Sequence, residues 1–350
     1  MSVKPFFSII IPVYNGGEPF KRCLAAIRQA DFTDWELMVV DDGSTDGSDR
    51  LARQFGAVLF KTAGRQGPAA ARNLGARLAR GSYLFFIDAD CELHPDTFSR
   101  TARHFETDPD LDALFGSYDD SPGASNFLAQ YKNLFHHYVH QHSQPAASTF
   151  WTGCGAIKRS LFLTLGGFDV QRYRRPSIED IDLGFRLKQR GGRIMLTKEV
   201  QVKHLKAWTF LKLLRSDILD RGIPWTRLML RRRAFLSDLN LQTHNRASVV
   251  VLYAFLMSLG LTVFQPLAII FVLVLGLWLL WLNAALYRFF YQKRGLSFTL
   301  KAIPLHWFYY FYNAISFGCG LLIHWQTQFK PDRLPAPQAL VDVQDIDGPG

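Results

Sequence analysis

The sequence predicts an α/β fold over residues 1–205, a mostly parallel sheet covered by helices, followed by interfacial amphipathic helices and two to three transmembrane helices. Three observations carry that expectation. Short apolar runs alternate with helical patterns from Phe7 to Ile87, nine basic and two acidic residues crowd Lys203 to Arg233, and no charged residue occurs in Val249–Tyr287 or Ala302–Phe329.

The elements follow in order. Phe7 to Pro12 reads as a buried strand, with a turn at Asn15-Gly16-Gly17 and a helical pattern through Leu24, Ile27 and Arg28. Glu36 to Val40 is a second strand; the polar run Asp41 to Asp46 after it suits a turn and caps a helix over Ser48 to Phe55. Ala57 to Lys61 is a short third strand, and Ala69 to Ala79 has the Ala, Leu and Arg content of a helix. Tyr83 to Ile87 is a strand that stops at Asp88-Ala89-Asp90. Continuous apolar strands alternating with helices imply a parallel sheet buried on both faces.

Residues 206–247 form a basic amphipathic segment. Trp208, Leu211, Leu214, Leu219 and Trp225 interleave with Lys and Arg there, the composition of helices that lie against anionic headgroups, and Gly222-Ile223-Pro224 should break the segment in two. Residues 248–329 are the apolar region. A single helix over Val249–Tyr287 would be ~58 Å long, about twice a hydrocarbon core, so it must break at Gln265-Pro266 into spans of about 248–264 and 267–287. The third stretch, 303–325, is rich in aromatic residues and either spans or lies partly in the interface. The basic residues Arg288, Lys293, Arg294 and Lys301 should stay cytoplasmic, making this an integral membrane protein with a cytoplasmic first domain. No secretory signal is expected, since the run Phe6 to Val13 is short and broken by Pro12. Residues 330–350 read as a disordered tail.

The net charge of +10 is concentrated beside the apolar region, which speaks against a nucleic-acid partner. Cys23, Cys91, Cys154 and Cys319 lie too far apart for a zinc ribbon and are expected as reduced thiols. Neither G-x-G-x-x-G after the first strand nor G-x-x-x-x-G-K-[ST] occurs.

In a parallel sheet, ligands gather at the carboxyl ends of the strands. Asp41, Asp42, Asp88 and Asp90 all lie there; turn and cap chemistry would explain them, and so would a divalent ion joined to a phosphate-bearing ligand.

The segments Ser8 to Asn15, Val39 to Asp46, Gly67 to Asn73, Phe86 to Asp90 and Glu179 to Leu183 resemble, in order and spacing, family 2 inverting glycosyltransferases with the GT-A, Rossmann-like fold. The likeness spans roughly Phe6 to His204. It implies transfer of a sugar from a nucleotide-diphosphate donor with inversion, assisted by Mg²⁺ or Mn²⁺. By that resemblance Pro12 and Tyr14 wall the base pocket, Asp42 accepts from the base edge, Arg72 pairs with the donor, Asp88 holds ribose or assists the metal, and Asp90 ligates it with His204 as a third ligand. Asp180 is the base that takes the acceptor proton, with Glu179 beside it. Trp151, Gly153, Gly167 and Asp182 fall on the acceptor side. The Q-x-x-R-W signature of processive synthases is absent, which favours single-sugar addition; the other readings are a processive polysaccharide synthase and an inactive nucleotide-binding membrane scaffold. A catalytic domain held at the membrane by a basic belt implies a lipid or lipid-linked acceptor, with anionic membrane lipids as partners, in the synthesis of a cell-envelope glycan or glycolipid.

Overall fold

The computed structural model describes residues 4–232 and 243–328. The expected tail and part of the basic segment lie outside the described residues.

All four expected strands form: β1 (Phe7–Val13), β2 (Trp35–Asp41), β3 (Val58–Lys61) and β4 (Tyr83–Ile87). They pair in parallel in the order β3-β2-β1-β4. The crossovers are α1 (Gly17–Arg28), α2 (Ser48–Gln54) and α3 (Pro68–Leu78). The apolar strands are buried because helices cover both faces: α1 packs Phe20, Leu24 and Ile27 on one, and α3 packs Ala69, Ala71 and Ala76 on the other.

Beyond β4 the sheet continues through strands that carry no simple crossover pattern. These are β5 (Cys91–Leu93), β6 (Ala113–Tyr118), β7 (Ala146–Ala147), β8 (Cys154–Lys158) and β9 (Ile194–His204). They extend the order to β4-β8-β6-β9-β5, with β7 also on β9. β8 is antiparallel to both β4 and β6, whereas β6 and β9 are parallel. The helices between them are α4 (Thr97–Thr107), α5 (Phe127–His142), α6 (Arg159–Thr164) and α7 (Glu179–Gln189).

The basic segment forms α8 (Phe210–Arg215), a π-helical turn over Ser216–Gly222, and α9 (Ile223–Arg232). The break expected at Gly222-Ile223-Pro224 is therefore a wide turn running straight into α9. Next come α10 (Thr243–Leu261), α11 (Ile269–Leu282) and α12 (Ala284–Gln328). Gln265-Pro266 does end the first apolar helix, and α10 and α11 fold back on one another as a hairpin. Asn283 Nδ2 donates to Ser248 Oγ at 3.1 Å at its base, and Gly276 leaves room for the Phe255 ring midway. By length and composition α10 alone can cross a membrane; α11 and α12 qualify only as a pair bent by 65°.

Gly295, at φ 78°, kinks α12, and the helix beyond it lies on α5 of the sheet domain and on the π-helical turn and α9 of the basic segment. Tyr312 donates to Asp217 Oδ2 in the π-helical turn at 2.8 Å, and Gly320 lies under Thr226 of α9. The aromatic stretch 303–325 is thus half-buried against protein, with Tyr310 and Tyr312 inside.

Candidate active site

Strand register decides which carboxylates meet. Ile87 of β4 pairs with Cys154 of β8, so Asp88 emerges beside the Trp151–Gly153 turn. Cys91 of β5 pairs with His204 at the end of β9, so Asp90 emerges beside that histidine, with Asp90 Oδ2 and His204 Nε2 3.7 Å apart. The His204 ring stacks on Tyr118 at 4.2 Å, and Tyr118 is held by α5, where His137 Nδ1 meets its carbonyl at 2.7 Å. Burial alone would raise the Asp90 carboxyl; the imidazole of His204, then Lys206, overcome this and hold it at about 2.

Four carboxylates at one rim would repel, and the structure supplies a positive group the sequence left loosely placed. Arg72 on α3 is buried, with Nη2 donating to Asp88 Oδ1 at 2.6 Å and Nη1 to Glu179 Oε1 at 3.0 Å. Burial opposes its charge, but Asp88, Glu179 and Asp180 outweigh that and raise its pKa. Arg72 therefore bridges two loops more than 90 residues apart in the chain. Glu179 is not an open carboxylate: besides Arg72 it accepts from Ser177 N at 2.9 Å.

Asp180 stands at the first turn of α7. Thr152 donates to its Oδ2 from N at 3.2 Å and from Oγ1 at 3.3 Å, and Ile181 N donates to Oδ1 at 2.8 Å. Burial, and then the Glu179 charge, push its pKa up to about 6 against these bonds, the range useful to a base near neutral pH.

Trp151 folds over Gly153, where any Cβ would run into the indole, and its ring meets Tyr118 edge-on at 4.9 Å and His136 at 5.1 Å. Two expected acceptor-side residues are engaged elsewhere. Asp182 is 1% exposed and accepts from Arg186 Nε at 2.9 Å and Arg232 Nη2 at 3.4 Å, because its place on α7 turns it toward α9. Gly167, at φ 67°, is approached by Asn73 Oδ1, which a Cβ would meet at 2.5 Å, so its openness serves the Asn73–Phe168 clamp.

At the other end of the rim Asp42 is buried and accepts from Thr62 Oγ1, Gln66 N and Gly67 N at 2.7 to 2.8 Å. It organises the loop after β3. Its Oδ2 has one bond and a remaining lone pair. Tyr14 is 41% exposed, with the Arg65 guanidinium 4.2 Å from its ring centroid, an open platform beside half-buried Pro12.

Sequence reasoning did not single out Tyr118, Lys132 or Asp217. Lys132 Nζ and Asp217 Oδ1 form a buried pair at 2.5 Å, and Ser177 Oγ donates to Asp220 O at 2.5 Å, tying the π-helical turn to the loop before Asp180. No local pattern announces these contacts; an Asp inside an amphipathic basic helix was the only available signal. A cavity of about 190 Å³ between Phe135, His142, Asn283 and His306 shares no residue with this rim.

Asp90 and His204 offer one carboxylate and one imidazole. Among the described residues no three or more His, Cys, Asp or Glu side chains come together to hold an ion by themselves. This donor set fits an ion whose remaining ligands are oxygens brought by another molecule.

The sheet that carries Asp88 and Asp90 at its rim, with Arg72 bridging Asp88 to Glu179, has an α/β GT-A-like fold. Residues 8–166 match the family described as Glycosyl transferase family 2. It is 39% identical over 107 residues to the glycosyltransferase AglE of Haloferax volcanii, covering 28% of this chain and 35% of AglE. The chain thus spans about a third of the length of such curated relatives. Among solved structures it is similar to the mannosyltransferase PcManGT from Pyrobaculum calidifontis in complex with GDP-Man and Mn²⁺, with a TM-score of 0.50, 19% identity and 94% and 88% of the two chains covered. A TM-score of 0.50 at 17% identity relates it to S. aureus TarS 1–349 in complex with UDP-GlcNAc, over 64% of each chain. The first of these likenesses covers more of the chain than residues 1–205 can supply, so it includes helices beyond the sheet domain.

Proposed function

We propose that the chain is a membrane-anchored glycosyltransferase that moves a sugar from a nucleotide-diphosphate donor, with inversion, to a lipid or lipid-linked acceptor. The observation that carries this reading is the Arg72 bridge, which joins the Asp88 loop to Glu179 at the start of α7, the residue before Asp180. PcManGT and TarS were solved with GDP-Man and UDP-GlcNAc, which supports a nucleotide-sugar donor here.

On this reading the base stacks on Tyr14 against Pro12, and the spare lone pair of Asp42 meets its edge. Asp90 and His204, with Asp88 beside them, would hold Mg²⁺ or Mn²⁺, which when bound neutralises charge on the departing diphosphate. Asp180 accepts the proton of the acceptor hydroxyl while that oxygen bonds to the anomeric carbon. The bond from carbon to phosphate oxygen breaks with its electron pair leaving on the nucleoside diphosphate, and attack from the opposite face inverts the centre. Thr152 keeps the Asp180 carboxylate aimed, Glu179 is a positioning residue acting through Arg72, and Trp151 with Gly153 forms the acceptor floor.

Membrane attachment is supported by the hairpin. α10 has 19 residues, ~28 Å of helix against a hydrocarbon core of about 30 Å, and the hairpin leaves Met257, Phe264, Phe271, Leu277 and Trp281 exposed. The test is nucleoside-diphosphate release by detergent-purified protein across a donor panel, with each ion, with and without extracted membrane lipid. Lipid-stimulated release that disappears in Asp180→Asn is the expected result; release without any transferred product in the lipid fraction would overturn the lipid acceptor.

A further inference from the structure

We propose that Arg172, Arg227 and Arg231 form a site for the headgroup phosphate of an anionic membrane lipid. This rests on the membrane-anchored reading above. Arg227 and Arg231 stand one turn apart on α9, and the neighbouring Leu228 packs with Tyr173, Ile178 and Phe185, which brings the loop carrying Arg172 against that helix. The Nε atoms of Arg227 and Arg231 and the hydroxyl of Tyr173 are buried, and none has a hydrogen-bond partner among the described residues. Buried donors left open in this way ask for an absent acceptor.

The charge is equally unbalanced. Arg172 meets Asp169 at 3.4 Å, while Asp182 is already shared by Arg186 and Arg232. Arg227 and Arg231 have no carboxylate within ion-pair distance among the described residues. Burial, and then the guanidinium groups of Arg172 and Arg227, hold Arg231 below the ordinary arginine range, as expected for crowded cations lacking an anion. A phosphate diester supplies oxygens that guanidinium forks bind in pairs. The source is a lipid on the membrane-anchored reading, because α9 immediately precedes the apolar hairpin in the described chain and packs on α12, with Gly320 under Thr226.

The test uses the full chain in nonionic detergent, with thermal unfolding followed in dihexanoyl phosphatidylglycerol, dihexanoyl phosphatidylcholine or inorganic phosphate. Phosphatidylglycerol should raise Tm by about 3 °C or more, the other two by much less. In Arg227→Gln/Arg231→Gln that shift should vanish while the lipid-free Tm stays at or above wild type, since removing crowded cations relieves repulsion; purely structural arginines would lower it. Arg172→Gln, on an exposed loop, should give a reduced shift without risk to folding. Equal shifts with phosphatidylcholine or free phosphate, or a shift that survives in both variants, overturn the proposal. Donor turnover in the same micelles keeps the two readings apart: absent turnover in wild type counts against the transferase, and the lipid shift still decides the site.

Discussion

The two sides of the rim are built in different ways. On the side of Tyr14 and Asp42, neighbouring turns lock together: Asn15 Oδ1 accepts from Thr45 N at 2.8 Å, Asp46 accepts from Gly17 N at 3.0 Å, and Asp42 gathers the amides of Gln66 and Gly67. Each interaction satisfies a backbone group of a tight turn, so this side is built from local hydrogen bonds. The side of Trp151 and Asp180 depends on charges and rings drawn from distant segments, with Arg72 reaching Glu179 and Thr152 reaching Asp180. A charge network can set a pKa, as it does for Asp180, whereas hydrogen-bonded turns fix the backbone.

The comparison breaks if the charge-built side proves dispensable. Asp180→Asn should lower kcat by roughly 10²–10⁴-fold while leaving nucleotide affinity within about twofold, measured by turnover and by calorimetric titration. Near-normal turnover would remove Asp180 from the chemistry. Arg72→Met should come next. Leaving buried Glu179 without its partner costs about 3–5 kcal/mol, so chemical denaturation should show a lower midpoint, with kcat falling alongside. An unchanged midpoint would mean that the bridge contributes nothing.

On the turn-built side, Tyr14→Ala should weaken nucleotide binding by about 3–10-fold, the worth of one aromatic stacking contact, with kcat at saturating donor unchanged. A kcat effect equal to the affinity effect would place Tyr14 at the reacting centre instead. The smallest effect is a pH shift. Asp180 titrates near 6 because burial and the Glu179 charge favour its protonated form, so kcat/KM should fall as pH drops through that value. In Glu179→Gln one like charge is gone and the acid limb should move to lower pH; a limb that stays in place, or moves up, would deny the coupling.

Legibility in the sequence followed the same division. β1 to β4 and the turns bearing Asp42, Asp88 and Asp90 were readable because a buried strand ending in polar turn residues is a local pattern. The break at Gln265-Pro266 was readable for a similar reason: Pro266 itself lacks a backbone donor and so ends a helix. The antiparallel half of the sheet was not readable, since β8 lies between β4 and β6 while following both in the chain. Glu179, Asp180 and Asp182 form one acidic run at a helix start, yet one bonds Arg72, one faces Thr152 and one turns toward Arg232.

The sequence by itself determined the alternation of strands and helices, the chemistry at the strand ends, the basic belt and the break in the apolar region, all set by backbone propensity and burial over a few residues. Only the tertiary structure decided which carboxylates are free and which are paired, and that the aromatic stretch of α12 lies against protein. The longest of those pairings join residues 95 and 107 apart, Tyr312 with Asp217 and Arg72 with Glu179, and nothing in a local run of side chains encodes which distant charge will be buried beside it.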